Sequence, residues 1–217
     1  MKSITTLMTL MTLMILLTAF SLSAQTTIGF TAGASFASVT VKSGGLSASP
    51  KSKTGFTAGI AIDAPLGTNF NFQPALNFVQ KGYKIKDETG KETVNLNYLE
   101  VPLNFVYSTK KNEGFFIGAG PSIAYGISGM DKFSETGMPE NNQKIKFGSG
   151  ADEVKTFDFG ANAIAGYRMK GGLMISGNYN LGLSKINNDD GSGDVGTIKN
   201  KYFSIKIGYC FGGHGHK

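Results

Sequence analysis

Residues 203–211 have the sequence FSIKIGYCF, and this stretch decides the fold. Every second residue, from Phe203 through Ile207 to Phe211, is large and apolar, whereas the residues between them are small, polar or charged. Because successive strand side chains point to opposite faces, the pattern predicts a strand with one apolar and one hydrophilic face. Seven earlier segments alternate similarly, which gives eight predicted strands, at about 27–40, 54–64, 69–84, 93–107, 114–130, 155–169, 173–186 and 197–211.

The connections between these segments alternate in length. Those after the second, fourth and sixth segments are short, and those after the first, third, fifth and seventh are long. Outer-membrane barrels combine short periplasmic turns with longer extracellular loops. Each segment also reaches the roughly 9–11 residues that a tilted strand needs to cross a bilayer. We therefore predict an all-β fold, an eight-stranded antiparallel up-and-down transmembrane β-barrel with both termini in the periplasm.

The N-terminus predicts a cleaved signal peptide. Lys2 is followed by an apolar, threonine-diluted stretch over residues 4–20, and Ala24 ends a run of small residues. These are the three parts of a secretory leader. We expect cleavage after Ala24, which divides the chain into a signal peptide (1–24), a barrel domain (25–211) and a flexible C-terminal tail (212–217). An uncleaved anchor is the alternative, but the apolar run is short for a membrane span.

Side-chain volume indicates which face of the barrel meets lipid. An eight-stranded barrel leaves an interior just wide enough for side chains or one small ligand. The Phe, Ile, Leu and Tyr side chains of the apolar face would overfill that lumen, whereas Gly, Ser, Ala and Asn would fill it. We therefore expect the apolar face to point outward. The inverted arrangement, a secreted or periplasmic soluble barrel that binds a small apolar ligand, is the alternative.

Four tyrosines on the apolar face predict an aromatic girdle. Tyr107, Tyr167 and Tyr209 lie near the predicted periplasmic ends of their strands, and Tyr125 lies toward the other rim. Amphipathic rings favour the interface between membrane and water, where such girdles form. Ordinary β-propensity is the alternative explanation, since tyrosine is common in any strand.

Charged residues on the hydrophilic face predict a network inside the lumen. The members are Asp63, Glu100, Asp158, Arg168 and Lys206. Buried charges require pairing and hydrogen bonds, so we interpret the group as a salt-bridge plug that fills and stiffens the barrel. A narrow selective path or gate is the alternative. A catalytic carboxylate pair is disfavoured because nothing else in the chain completes such a site.

Three prolines, Pro74, Pro102 and Pro121, lie within the predicted strands and indicate irregular pairing. Proline cannot donate to a β-ladder and is usually confined to edges or bulges. A closed barrel has no edge, so we predict bulges at or near Pro102 and Pro121.

Other chemistries have little support in the sequence. The net charge of +6 comes from lysines spread over loops and turns, which favours anionic lipid headgroups over nucleic acid. The single cysteine, Cys210, excludes an intrachain disulfide. His214 and His216 fall short of a metal site, and the Asn/Asp/Gly run over residues 187–194 lacks the spacing of a calcium loop. We predict no catalytic residues, no cofactor and no metal.

Two stretches resemble a known family. Residues 96–103 (LNYLEVPL) and 116–121 (FIGAGP) are similar to hallmark segments of the PorT-like outer membrane protein beta-barrel family of Bacteroidota. The Ser-Ala-Gln end of the leader and the aromatic end of the last strand are similar too. The resemblance implies an eight-stranded, OmpA/OmpX-like barrel, often of unassigned role. Some relatives assist secretion or gliding machinery.

These observations together predict a non-enzymatic protein of the outer membrane of a Gram-negative bacterium. Its role would be structural, adhesive or accessory to envelope machinery, exerted through the loops at residues 41–53 and 131–154. An open porin is unexpected because eight strands leave no wide channel. The expected partners are outer-membrane lipids, the barrel-insertion machinery and an envelope or secretion protein, and no nucleic acid. An outer-membrane lipid-modifying enzyme or protease would need a catalytic dyad or triad, which the sequence does not offer.

Overall fold

The computed structural model describes residues 26–86, 90–110, 113–135, 139, 141–188 and 196–211. The predicted leader and tail, with His214 and His216, lie outside these residues, as does most of the loop over residues 187–194. In the described ranges no helix is long and apolar enough to cross a membrane.

Ten β-strands occupy the described part of the chain. They are β1 (Thr27–Ser43), β2 (Leu46–Ala48), β3 (Lys51–Pro65), β4 (Phe70–Lys86), β5 (Gly90–Ser108), β6 (Gly114–Glu135), β7 (Asn141–Ile145), β8 (Phe157–Arg168), β9 (Leu173–Gly182) and β10 (Thr197–Phe211). Two are short hairpin partners, since β2 pairs only with β1 and β7 only with β6. The other eight form the barrel wall.

The eight wall strands close on themselves. Each long strand pairs antiparallel with the next one along the chain, and β10 returns to pair with β1 from Ile28–Phe211 to Lys42–Thr197. Closure leaves no strand edge among these eight, so their backbone groups are paired within the ring. The prediction of an eight-stranded antiparallel barrel is confirmed.

The two ends of the barrel differ in height. Thr27, Phe211 and the three tight turns after β3, β5 and β8 lie at one end, which is the periplasmic end of such barrels. At the other end, most of the described residues that were predicted to form loops belong to paired β-strands. β4 continues to Lys86 and β6 runs for 22 residues, whereas β9 has only 10. The wall is therefore tall at β4–β7 and low at β8–β9.

The predicted bulges at Pro102 and Pro121 are wrong. Pro102 pairs with Ser122 and Phe105 with Ala119, so β5 and β6 keep one register past both prolines. On its other side Pro121 pairs with Ala161 in an unbroken ladder with β8. A missing N–H removes a bond without inserting a residue, which explains why the register survives. The shift between β5 and β6 occurs instead at Asn97 and Tyr98, and a second one lies between Ser52 and Thr57 of β3.

The outer surface of the ring is apolar. Along β5 the outward residues are Tyr107, Phe105, Leu103, Val101 and Leu99, and four of these side chains are more than a third exposed. Other exposed apolar side chains continue the band around the wall, among them Phe30, Ile60, Leu76, Ile117, Phe159, Ile175, Leu181 and Ile207. The alternative of a soluble barrel with an apolar interior is wrong, because within the apolar band the residues that alternate with these apolar side chains point inward and many of them are charged or carry amides.

We expect a charge in the middle of this band to be costly. Leu103 lies halfway along the outward run of β5, so Leu103→Arg should lower the free energy of unfolding by about 2–4 kcal/mol. Leu46, in the β1–β2 hairpin, is 80% exposed and provides the matched control. Leu46→Arg should cost no more than about 1 kcal/mol, as at membrane interfaces. Urea unfolding in lipid vesicles measures both free energies. Equal losses of unfolding free energy in the two variants would contradict the interpretation that the apolar band faces lipid.

Candidate functional site

The inner face of the barrel carries polar side chains at high density. The strand alternation that turns the large apolar residues outward turns Asn, Ser, Thr and charged residues into the lumen. Buried members include Thr57, Asp63, Gln73, Asn77, Lys81, Glu100, Asn104, Ser122, Asp158, Asn162, Arg168, Ser176, Asn178, Asn180, Asn200, Ser204 and Lys206. Buried charges of this kind need pairing, and two groups of contacts provide it across the lumen.

The first group joins β4, β5 and β8 around Lys81. The Lys81 ammonium lies 2.9 Å from Glu100 Oε2 and 3.0 Å from Asp158 Oδ2, and these three side chains are about 1% exposed. Because β4 and β8 are not neighbours in the ring, the contact with Asp158 spans the lumen. A cation between two carboxylates makes this group, which we name the Lys81 brace, the most highly charged layer of the interior.

Residues of β5 and β10 complete the Lys81 brace. Tyr202 donates a hydrogen bond from its hydroxyl to Glu100, and Asn200 donates to Asp158 Oδ2 at 2.9 Å. The ammonium of Lys81 lies 4.9 Å from the ring centre of Tyr98 and 5.4 Å from that of Tyr202. Both distances are within the range of cation–π attraction. The ammonium is thus enclosed by two carboxylates and two aromatic faces.

The second group lies nearer the periplasmic end. Arg168 of β8 forms an ion pair with Asp63 of β3, and Gln73 Nε2 donates to the other oxygen of Asp63 at 3.1 Å. Since β3 and β8 face each other across the ring, this Arg168 brace also crosses the lumen. Cys210 lies nearby, with its sulfur 3.6 Å from that of Met174.

A layer of amide and hydroxyl groups separates the two braces. Asn162 donates to Asn104 at 2.9 Å, and Asn180 donates to Ser122 at 2.7 Å. Lys206 lies in this layer beside a cavity of about 20 Å³ that is also lined by Ser176 and Asn178. A volume of this size is comparable with one water molecule. Side chains therefore cross the described lumen at the level of each brace, with a cavity of water-molecule size between them.

The structure divides the five predicted lumen charges among these layers. Asp63 and Arg168 form one ion pair, Glu100 and Asp158 belong to the Lys81 brace, and Lys206 lies between them. Within the described residues Lys206 makes no ion pair. The sequence interpretation missed Lys81, although it shares strand parity with Asn77 and Val79. It also missed Tyr98 and Tyr202, whose parity matches that of Glu100 and Ser204.

An apolar cap covers the extracellular mouth of the lumen. Phe147, from the segment after β7, packs edge-on against Tyr98 with ring centres 5.5 Å apart. The ring occupies the space above Gly126, where an added Cβ would come within 2.1 Å of it. Other residues of the cap are Val39, Val79, Val94, Leu96, Ile145, Val154, Ile186 and Ile198. The long connection that sequence analysis assigned to an external loop thus contributes to the core.

All four predicted girdle tyrosines lie on the outer surface. Tyr107 packs on Phe70 at 5.3 Å between ring centres, Tyr167 on Phe115 at 4.8 Å and Tyr209 on Phe211 at 4.6 Å. These three pairs are next to the periplasmic turns or the chain ends. Tyr125 packs on Phe157 at 5.4 Å, further toward the other rim. A girdle role for these tyrosines remains a prediction.

The extracellular rim carries two acidic groups on its inner side. Glu92 of β5 and Asp131 of β6 line one cleft with Phe133, Asn141 and Gln143. Partial burial raises the pKa of the Glu92 carboxyl, and the neighbouring Asp131 raises it further. Burial likewise raises the pKa of Asp131. Within the described residues no group of three His, Cys, Asp or Glu side chains is arranged to hold a metal ion.

A closed ring with an apolar outer band and a polar, filled lumen defines a transmembrane β-barrel. The model of one family, the outer membrane protein beta-barrel domain, matches residues 23–188, and the chain belongs to that family. The protein is therefore an integral protein of the Gram-negative outer membrane, where it contacts outer-membrane lipids. Comparison with curated proteins found no match.

Several solved outer-membrane barrels are similar in structure. Ail, the attachment invasion locus protein of Yersinia pestis, is 15% identical with a TM-score of 0.47, over 86% of this chain and 99% of that one. Neisserial surface protein A is 11% identical with a TM-score of 0.45, over 87% and 98%. OprG from Pseudomonas aeruginosa is 10% identical with a TM-score of 0.43, over 87% and 96%.

We expect loss of the Lys81 cation to destabilise the barrel. Lys81→Met leaves two buried carboxylates without their cation and should lower the free energy of unfolding by about 3–5 kcal/mol. The triple variant Lys81→Met, Glu100→Gln, Asp158→Asn removes the charges together and should recover most of the loss. Because the chain has no Trp, urea unfolding is followed by circular dichroism.

The exposed pair of Lys110 and Glu113, 2.8 Å apart in a periplasmic turn, provides the control. Lys110→Met should leave unfolding nearly unchanged because solvent screens such pairs. If Lys81→Met were as mild as Lys110→Met, or if the triple variant recovered nothing, the stabilising role of the brace would be disproved.

Proposed function

We propose that this protein is a non-conducting, non-enzymatic barrel that acts through its extracellular rim, as an adhesive or structural element or as an accessory of envelope machinery. The observation that carries the proposal is the filled lumen. Contacts of Lys81 and Arg168 cross it at two levels, and Phe147 covers its mouth. Eight strands leave little interior width. Interaction surfaces are therefore to be sought on the rim and the outer wall.

In this proposal Asp63, Glu100, Asp158, Arg168 and Lys206 seal and stiffen the lumen. The three acidic and three basic groups, counting Lys81, balance in charge. The buried carboxylates accept from cations, amides or a tyrosine hydroxyl. A general acid or base needs a substrate within hydrogen-bond reach, and these groups are enclosed instead. This enclosure supports the non-enzymatic assignment.

We further infer that the mature chain begins at Gln25 and is inserted by the barrel-insertion machinery. The resemblance to the PorT-like family supports an envelope or secretion protein as a partner. In this proposal the four outward tyrosines act as interfacial anchors, because the ring of each packs against a second aromatic ring. They are Tyr107, Tyr125, Tyr167 and Tyr209. The tail over residues 212–217 follows the last strand.

Conductance measurements test the sealed lumen. The purified protein in planar bilayers should show no steady open steps, because side chains cross the lumen at two levels. Phe147→Ala thins only the cap and should stay closed as well. A general porin serves as the positive control. Steady conductance by the wild-type protein would contradict the proposal, and conductance by Phe147→Ala alone would show that the cap is the only barrier.

Site-specific photo-crosslinking in cells tests the role of the rim. A photoreactive residue at Gln143, exposed on β7 at the extracellular rim, should form an adduct with an envelope protein or a surface glycan. The matched probe is at Lys110 in the periplasmic turn, which should give fewer adducts. A partner found only at Lys110 would place the interaction in the periplasm and contradict action through the rim.

A further inference from the structure

A small cavity lies in the middle of the lumen, in the layer of amide and hydroxyl groups between the two braces. Its volume is about 20 Å³, and its polar lining includes Lys206, Ser176 and Asn178. All three residues are more than nine-tenths buried. Each of the eight wall strands is described without a gap at this level, so the wall residues that face the cavity are all described. The two braces separate the cavity from the two ends of the barrel.

Short inward side chains leave room for this cavity. Lys206 pairs with Gly33 on β1 and with Ser176 on β9, so the lysine side chain enters the lumen between two short neighbours. On the side formed by β3 and β4 the lining contains Ala61 and Ala75, which pair with each other. Larger residues at these positions would fill the space, so the sequence itself sets the cavity.

Two buried polar atoms at the cavity have no hydrogen-bond partner among the described groups. They are the hydroxyl oxygen of Ser176 and the side-chain carbonyl oxygen of Asn178. Lys206 lines the same cavity, but its ammonium donates to neither atom and makes no ion pair within the described strands. Buried polar groups are nearly always satisfied, either by protein or by ordered water. Three such groups around one small space therefore indicate a binding site.

The amide network fixes which atom of Asn178 faces the cavity. The side-chain nitrogen of Asn178 donates to Asn162 at 3.4 Å, and Asn162 donates in turn to Asn104 at 2.9 Å. Because this nitrogen is engaged with Asn162, Asn178 presents its carbonyl oxygen, which can only accept. The ammonium of Lys206 can only donate. The cavity thus has a donor on one side and an acceptor on another.

These requirements select the ligand. A molecule that satisfies both Lys206 and Asn178 has to accept from the ammonium and donate to the amide oxygen. Water does both, whereas a chloride ion only accepts and would leave the Asn178 oxygen unsatisfied. A chloride ion would also cancel the positive charge that balances the two carboxylates and one ammonium of the Lys81 brace. The volume agrees with water, since about 10–15 Å³ of such space is enough for one molecule.

We propose that this cavity binds one water molecule, which accepts a hydrogen bond from Lys206, donates one to Asn178 and also contacts the Ser176 hydroxyl. The water completes a chain in which every hydrogen bond is donated in the same direction, from Lys206 through the amides of β9 and β8 to Asn104. Bonds aligned in this way polarise and strengthen one another. Since β10 and β5 are not neighbours in the ring, the chain is a third connection across the lumen, made without an ion pair. It depends on the contacts inside the lumen and not on how the rim acts.

Nuclear Overhauser effects between water and side-chain amides test this site, measured by solution NMR of the folded barrel in detergent micelles. A water molecule that stays longer than the tumbling time of the barrel gives cross-peaks of opposite sign in laboratory-frame and rotating-frame experiments. We expect such a cross-peak at the side-chain amide of Asn178. The matched control is Asn180, which is 1% exposed, donates to Ser122 and does not line the cavity. Its side-chain amide should show no cross-peak with water.

Two substitutions at one position separate bound water from exchanging protons. Ser176→Ala removes a hydroxyl whose exchanging proton would imitate bound water, but it leaves the cavity open, so the cross-peak at Asn178 should persist. Ser176→Val adds methyl groups to the cavity and should abolish the cross-peak. Ala75→Val fills the same cavity from β4 and serves as the second variant if Ser176→Val does not fold. Retention of the folded, heat-modifiable band on a gel checks the folding of each variant.

Four results would overturn the proposal. They are the absence of a cross-peak at Asn178 in the wild-type protein, an equal cross-peak at Asn180, survival of the Asn178 cross-peak in a folded cavity-filled variant, and its loss with a saturable shift of the Asn178 amide when chloride replaces gluconate. The second would show general hydration of the lumen. The third would assign the signal to exchanging protons of Lys206, and the fourth would assign the cavity to an anion.

Discussion

The structure depends on one constraint, that backbone N–H and C=O groups in hydrocarbon must be paired within the protein. The ladder between β10 and β1 meets it by closing the ring from Ile28–Phe211 to Lys42–Thr197. Closure explains why prolines are tolerated in the wall, since the neighbouring pairs hold the register where one donor is missing. It also creates an enclosed interior that must then be filled.

Filling this interior with polar groups has an energetic consequence. Desolvating an ion pair costs about as much as the attraction returns, so the braces are weak evidence for net stability. Their contribution is positional, since Lys81 and Arg168 each join strands that are not neighbours in the ring. A ring held at two levels by cross-lumen contacts resists flattening, and Lys206 in the layer between them compensates the negative excess of the Lys81 brace.

Strand alternation predicted the two faces, because a period of two is local to each strand, and together with the alternating connection lengths it predicted the ring. It placed Ile205 outside and Lys206 inside, as the structure has them. Lys81 follows the same inward parity as Asn77 and Val79, although the sequence analysis did not single it out. At the adjacent Gly82, φ is +127° and an added Cβ would come within 2.0 Å of Val94 O. Such a close approach of two strands is a property of the folded wall.

The prolines and the cap show where local patterns fail. The proline predicted irregular pairing near Pro102, yet the register shift occurs between Asn97 and Tyr98. Neither of these residues is a proline or a glycine that would have indicated a bulge. Phe147 belongs to the polar connection between β7 and β8. Its ring packs on Tyr98 at the mouth of the lumen, in space that is available because residue 126 is a glycine. Both features depend on contacts between segments far apart in the chain, which a single sequence does not display.

The tall wall shows that alternation acts differently above the membrane. Inside the band it separates apolar from polar side chains, because lipid accepts only the former. Above the band both faces meet polar surroundings, and the same period instead separates charge, with Glu92 and Asp131 inside and Lys84 and Lys132 outside. An anionic leaflet attracts a basic surface and repels an acidic one, so this sorting suits a strand pair that rises through headgroups. In a rim that was surrounded only by bulk water, no such electrostatic attraction would favour lysines on the outer face.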